Sequence, residues 1–207
     1  MKNSTGKPVL LRIVSAIQQN KDYLSEIDGL IGDGDHGVNM NKGFTMFAGQ
    51  IRDREICFTD GLNELGNVLF SQIGGSMGPI YGTIFMGMGE AGEKYEDIDL
   101  DGFAVMLEAG LGTLRDVVEA KVGDKTLIDT LEPANEAILK AAKEGKSFAE
   151  ALKEMKAAAE AGRDSTKDLA AKFGRSSRLG ERSRGVLDAG SVSCCLILCA
   201  MADGILE

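Results

Sequence analysis

KPVLLRIVSAIQQNKDYLSE, residues 7–26, sets the pattern for the whole chain: Leu10, Ile13, Val14 and Ile17 recur at the three-and-four spacing that lines one face of an α-helix. The same spacing returns in Phe148, Leu152, Met155 and Ala159, and strand-like alternation over several residues is hard to find. With stop signals at Gly, Asn and Asp clusters, the pattern predicts eight helices, near 7–26, 37–53, 60–73, 78–94, 99–119, 126–143, 147–171 and 190–206. Most connections are short, which makes neighbouring helices antiparallel. The expected fold is therefore all-α: an up-and-down antiparallel barrel or bundle of eight helices, one domain over 1–207, with a polar lid loop at about 172–189. Gly43, Gly66, Gly82, Gly87 and Gly89 fall inside predicted helices at up to ~1 kcal/mol each, a cost that close helix packing would offset. Pro133 is expected to kink the sixth helix near its first turn.

The 207 residues are 43% hydrophobic and 27% charged, enough for a real core and too apolar for long-range disorder. Lys and Arg number 23 against 32 Asp and Glu, a net charge of −9 that repels phosphate backbones, so neither nucleic acid nor an anionic membrane is the expected partner. A nucleotide held through metal ions is compatible with that charge. The strongest apolar stretch, Cys194 to Ala202, is about half of the ~18 residues a membrane span needs, and MKNSTGKPVLL does not read as a signal peptide. A cytoplasmic location is expected. Cys57 stands alone and Cys194, Cys195 and Cys199 crowd one apolar segment, a pattern of reduced thiols packed as small hydrophobes.

Two connections are unusual. IDGLIGDGDHG at 27–37 spaces Asp28, Asp33 and Asp35 as D-x4-D-x-D among glycines that let the backbone turn sharply. Three converging carboxylates repel one another, and a hard, oxygen-preferring cation, Mg²⁺ first, is their natural occupant. An EF-hand does not fit, because the sixth position from Asp33 is Val38 and the twelfth is Phe44. A solvated acidic turn in which Asp35 caps the next helix is the alternative, with His36 as a helix-terminal hydrogen bonder. The second connection, KFGRSSRLGERSRGVLDA at 172–189, carries Lys172, Arg175, Arg178, Arg182 and Arg184. It is either a solvated loop or a lid whose Arg forks meet phosphate charge.

Gly74-Gly75-Ser76-Met77-Gly78-Pro79 opens an apolar helix and offers unpaired N–H groups to an anion, although a plain tight turn has the same composition. It is neither a Walker A loop nor a dinucleotide fingerprint. Gly123-Asp124-Lys125-Thr126 and the pair Asp188, Gly190 are weaker signals of the same kind, and both also read as helix N-caps.

Taken in order, DGLIGDGDHGVNMNKGF at 28–44, GGSMGPIYGT at 74–83, GDKTLID at 123–129, GRSSRLGERS at 174–183 and DAGSVS at 188–193 resemble the nucleotide-binding L subunits of dihydroxyacetone kinase, the DhaL family, over essentially the whole chain. The resemblance implies an eight-helix antiparallel barrel with ADP or ATP at one end, held through two Mg²⁺ ions by Asp28, Asp33 and Asp35. It implies nucleotide contacts from His36, Gly37, Val38 and Asn39, from Ser76 and Met77, from Leu127 beside the base, from Arg175 in the lid, and from Asp188, Ala189 and Gly190. Arg175 carries the catalytic expectation. The resemblance also implies half an enzyme: a separate DhaK-type subunit holds dihydroxyacetone on its own histidine, so His36 is not that residue. In one branch of the family ADP stays bound and a DhaM-type protein of the phosphoenolpyruvate phosphotransferase system rephosphorylates it in place; in the other, ATP exchanges. A homodimer is possible.

The chain departs from the phosphotransferase-linked pattern, GGASGP and SIGHxDPG, with GGSMGP and SRGVLDAG, so that Met77 stands where a serine could bond phosphate and Arg184 and Leu187 alter the lid end. These departures keep three alternatives in view: an ATP-dependent kinase subunit, a kinase for another short ketose, and a nucleotide-loaded regulatory interaction protein.

Overall fold

Helices form where the apolar spacing is regular and stop where a polar side chain takes up a terminal backbone group. The computed structural model, which describes residues 1–207, has nine α-helices: α1 (Lys7–Gln19), α2 (Lys21–Ile31), α3 (His36–Ile51), α4 (Phe58–Gln72), α5 (Met77–Gly92), α6 (Leu100–Arg115), α7 (Ile128–Lys143), α8 (Phe148–Ser165) and α9 (Ala189–Leu206). The Asp99 carboxylate accepts from Gly102 N–H at 2.9 Å to start α6, and Ser147 with Glu150 forms a reciprocal capping box at α8. Short 3₁₀ turns cover Asn3–Thr5, Thr166–Asp168 and Arg175–Ser183, and no β-strand forms beyond one isolated bridge, Lys2 to Asp97.

The expected first helix, 7–26, is two helices. Asn20 leaves the helical region (φ −105°, ψ 11°), and its side-chain amide donates to the Ala16 carbonyl at 2.8 Å, taking the place of a continuing backbone donor. The seventh predicted helix, 147–171, ends six residues early because Ser165 and Thr166 hydroxyls donate to the Gly162 and Arg163 carbonyls. Pro133 lies in the second turn of α7 rather than near the first.

The helices follow a closed circuit: α3 packs on α1 and α2, each of α4 to α9 packs on its predecessor, and α9 returns to α1. One cluster of 48 buried apolar residues fills the inside. Glycines bring the helices close, as expected. A Cβ on Gly66 would lie 2.8 Å from the Gly82 carbonyl, and one on Gly82 would lie 2.9 Å from the Gly66 carbonyl, so α4 and α5 meet backbone to backbone. All four cysteines are free thiols, with Cys194 and Cys195 buried.

Gly162 shows how tight the packing is. Pro133 gives the Asp129 carbonyl no N–H, and α8 passes that carbonyl so closely that a Cβ on Gly162 would collide with it. Ala favours a helix by ~1 kcal/mol over Gly, whereas overpacking costs about 1–3 kcal/mol, and here the obstacle is backbone that cannot rotate away. Gly162→Ala is therefore expected to lower stability by about 1–2 kcal/mol net, toward the upper end of overpacking less the propensity gain. Urea unfolding measures it, and a midpoint at or above that of the parent chain contradicts the packing argument.

α9 corrects the membrane expectation in part. Ala189–Leu206 has 18 residues and a mean hydropathy of 1.9, long and apolar enough to span, and so extends well beyond the Cys194 to Ala202 stretch expected from the sequence. The interrupting Ser191 and Ser193 are fully buried and bonded inside the bundle, and 61% of the helix is enclosed, so α9 is a core helix here.

Candidate functional site: an acidic turn facing four helix starts

Asp28 belongs to the last turn of α2, not to the connection, while Asp33 and Asp35 lie on the turn that leads into α3. Gly34, at φ +76°, supplies the left-handed step that turns the chain back. The result is three carboxylates with an oxygen from each within 4.8 Å of one another. His36 N–H donates to Asp28 Oδ2 at 3.3 Å, and the Arg175 guanidinium reaches from the loop to Asp33 Oδ2 at 2.8 Å. Burial and then the charges of Asp33 and Asp28 push the Asp35 carboxyl above its ordinary range. Asp35 stands at the N-cap position of α3 but makes no side-chain cap bond, which leaves its oxygens for another cation or donor. This all-oxygen, like-charged set fits a hard divalent metal.

The connectivity supplies the opposite wall. Because successive helices alternate in direction, α3, α5, α7 and α9 all begin at the end of the ring that carries the acidic turn. Their first residues, His36, Met77, Ile128 and Ala189, line a single cavity of about 480 Å³ together with Asp28, Asp33 and Asp35. Helix starts carry unpaired N–H groups and the positive end of the helix dipole, so the cavity sets an anion-favouring wall against a cation-favouring one. Ile31, Ile80, Val118 and Leu127 add apolar surface between them.

A hydrogen-bonded chain fixes the floor. The Tyr81 hydroxyl donates to the Gly190 carbonyl at 3.0 Å and lies 2.6 Å from Ser193 Oγ, which lies 2.8 Å from His36 Nε2. Burial brings the His36 imidazole down to about 4, so at neutral pH it is an uncharged link between α3, α5 and α9. Asp188 caps α9, its Oδ2 accepting from Ser191 N–H at 2.7 Å, and burial raises its carboxyl to about 6. Ser191 Oγ donates to the Thr126 carbonyl at 2.7 Å, tying the α9 and α7 starts together.

Of the residues expected at the site, Asp28, Asp33, Asp35, His36, Asn39, Ser76, Met77, Leu127, Arg175, Asp188, Ala189 and Gly190 line the cavity. Gly37 and Val38 do not. Gly37 is buried under α2, where a Cβ would collide with the Lys21 carbonyl, and Val38 points outward at 50% exposure. The basic segment is folded rather than free: Lys172 pairs with Asp124 at 2.6 Å, Arg184 with Glu181 at 2.6 Å and Arg175 with Asp33, leaving Arg178 and Arg182 without an ion partner. Tyr81, Ser193 and Lys125 have no role assigned from the sequence, although they lie within GGSMGPIYGT, DAGSVS and GDKTLID, because nothing local distinguishes them.

Fold and site together define an all-α ring that turns a carboxylate cluster and four helix starts toward one cavity, an arrangement whose chemistry suits a phosphate-bearing ligand with its cation. The chain belongs to the DAK2 domain family, whose model matches residues 30–203. It is 39% identical to the "PEP-dependent dihydroxyacetone kinase 1, ADP-binding subunit DhaL" of Listeria innocua serovar 6a, over 89% of this chain and 88% of that protein. To the corresponding ADP-binding subunit DhaL of Escherichia coli strain K12 it is 34% identical, with the same two coverages. The fold is also that of the C. freundii dihydroxyacetone kinase crystallised with AMP-PNP and Mg²⁺, at a TM-score of 0.73 and 21% identity, covering 94% of this chain and 33% of that longer one.

Proposed function

We propose that this chain is the nucleotide-carrying, phosphoryl-transferring subunit of a dihydroxyacetone kinase, acting in the cytoplasm and passing the γ-phosphoryl group to dihydroxyacetone held on a separate K-type subunit. The observation that carries the reading is the single cavity in which three clustered carboxylates face four helix starts. Identity of 39% to an ADP-binding DhaL subunit along nearly the full length of both chains supports the same conclusion.

In this reading Asp28, Asp33 and Asp35 hold two Mg²⁺ ions, which would neutralise phosphate charge during transfer. The rest is done by the chain itself. The starts of α5 and α9, with Ser76 and Gly190, orient phosphate oxygens through fixed N–H groups, and the Asp188 cap holds α9 in register for it. Leu127, Ile80 and Val118 give the base an apolar seat. His36 positions α3, because its Nε2 is committed to Ser193 and its low basicity suits it poorly to taking a proton from an acceptor hydroxyl. No other histidine exists in the chain, which agrees with an acceptor carried by a partner. Leu30, Val38 and Phe173 are 62%, 50% and 39% exposed, on the segments that form the acidic turn and the lid, and provide apolar surface for such a partner. A DhaM-type protein is the proposed phosphoryl source.

Native mass spectrometry on protein purified without added nucleotide, followed by a challenge with ATP and Mg²⁺, tests the reading. Retained ADP with two Mg²⁺ that resists exchange is the expected result for the phosphoenolpyruvate-linked subunit. Ready uptake of Mg-ATP by an empty protein moves the reading to direct use of ATP. Binding of neither removes the nucleotide assignment.

A further inference from the structure

Lys125 is the anomaly of the molecule. It is 1% exposed, it is the one non-glycine residue with positive φ (+62°), and its ammonium forms no ion pair. A lysine in that backbone region is strained, and a buried lysine ordinarily has a carboxylate partner. Here Nζ instead donates to two main-chain carbonyls, those of Thr166 and Val186. Asp129 and Asp188 are close enough to favour its charge, but their own oxygens accept from Gly123, Thr126 and Ser191 N–H groups. Burial shifts the amine below its ordinary range.

The two carbonyls are the feet of the lid. Thr166 follows the end of α8 and Val186 precedes α9, so the segment from 167 to 185, with its 3₁₀ turns and Arg175, leaves and returns at the Lys125 ammonium. Neighbouring bonds close the same neck: Gly185 N–H donates to the Lys167 carbonyl at 2.8 Å, and Asp188 N–H to Thr166 Oγ1 at 3.1 Å. The residue before Lys125 grips the loop once more, Asp124 accepting from both the backbone N–H (3.1 Å) and the ammonium (2.6 Å) of Lys172.

We propose that Lys125 is a positioning residue that staples both feet of the lid to the start of α7 and thereby holds Arg175 over the acidic turn. The staple concerns attachment of the lid and stands whatever the cavity binds; only its effect on turnover rests on the kinase reading.

Hydrogen–deuterium exchange on the full chain, compared between parent, Lys125→Met and Lys125→Gly, tests it. Glycine removes the amine while relieving the positive φ, so Lys125→Gly separates the staple from general destabilisation. Both variants are expected to speed exchange across 166–187 by about 10-fold or more, with α4, α5 and α6 unchanged, because charge-assisted bonds at the neck are lost. In transfer assays with a K-type partner, kcat is expected to fall by about 10-fold or more with KM for nucleotide within roughly 3-fold, since Arg175 is less well held rather than removed. Parental lid exchange in Lys125→Gly overturns the proposal, as does faster exchange spread evenly over all nine helices. Faster lid exchange in a chain that binds no nucleotide supports the staple and overturns only the kinase reading.

Discussion

Asp33→Asn is expected to weaken binding of Mg-nucleotide by about 100-fold or more, ~2.7 kcal/mol, while the helical circular dichroism stays that of the parent chain. The binding loss follows from charge count: three carboxylates within 4.8 Å make a strong site for a doubly charged ion, and a neutral amide at one position removes a third of the charge. The fold is spared for two reasons. Asp33 and Asp28 both oppose ionisation of Asp35, so loss of one charge relieves repulsion. The ion pair lost with it, Asp33 to Arg175, joins side chains that are 33% and 63% exposed, and such pairs contribute about 0–1 kcal/mol. Asp35→Asn is expected to behave in the same way. Isothermal titration of nucleotide-stripped protein with Mg-ADP measures the effect, and parental affinity in either variant rules out the metal assignment.

Arg175→Ala is expected to slow phosphoryl transfer by roughly 10²–10³-fold while changing nucleotide affinity by less than about 3-fold. Arg175 stands at the lip of the cavity on a loop, largely exposed, and its guanidinium and a metal ion would compete for the same Asp33 oxygen. Its contribution to ground-state binding is therefore small. Charge that spreads onto the phosphoryl oxygens during transfer is what a planar guanidinium at that position would meet. Single-turnover transfer to a K-type partner loaded with dihydroxyacetone, beside equilibrium binding of the nucleotide, separates the two quantities. An unchanged rate with a raised nucleotide requirement would assign Arg175 to uniform binding instead.

What could be read from the sequence was local. Apolar residues at helical spacing place most of the helices because burial of one face decides a helix, and D-x4-D-x-D among glycines brings three carboxylates together within eight residues. The break at Asn20 was hidden because nothing in its neighbours shows that its amide turns back on the Ala16 carbonyl. Lys125, Tyr81 and Ser193 were invisible for another reason: their partners lie 41 to 157 residues away in the chain, and only ring closure makes them neighbours. Gly37 and Val38 followed His36 in a run of four expected contacts, but consecutive residues of a helix point about 100° apart. At the start of α3, His36 and Asn39 share the cavity side, while Gly37 faces α2 and Val38 faces outward.

The position of α9 sets the order in which the protein becomes competent during synthesis. A chain made from its N-terminus completes the acidic turn early, yet the α9 start, the Asp188 cap, Ser193 and the second foot of the lid all come more than 150 residues later. Until then the ring has a gap between α8 and α1, and the apolar faces that α9 will cover stay open to water. A nascent chain therefore has the carboxylate cluster without the α9 start that faces it across the cavity. On the kinase reading, nucleotide capture waits for α9, and a chain that lacks it exposes an apolar seam between α8 and α1 in place of a closed cavity.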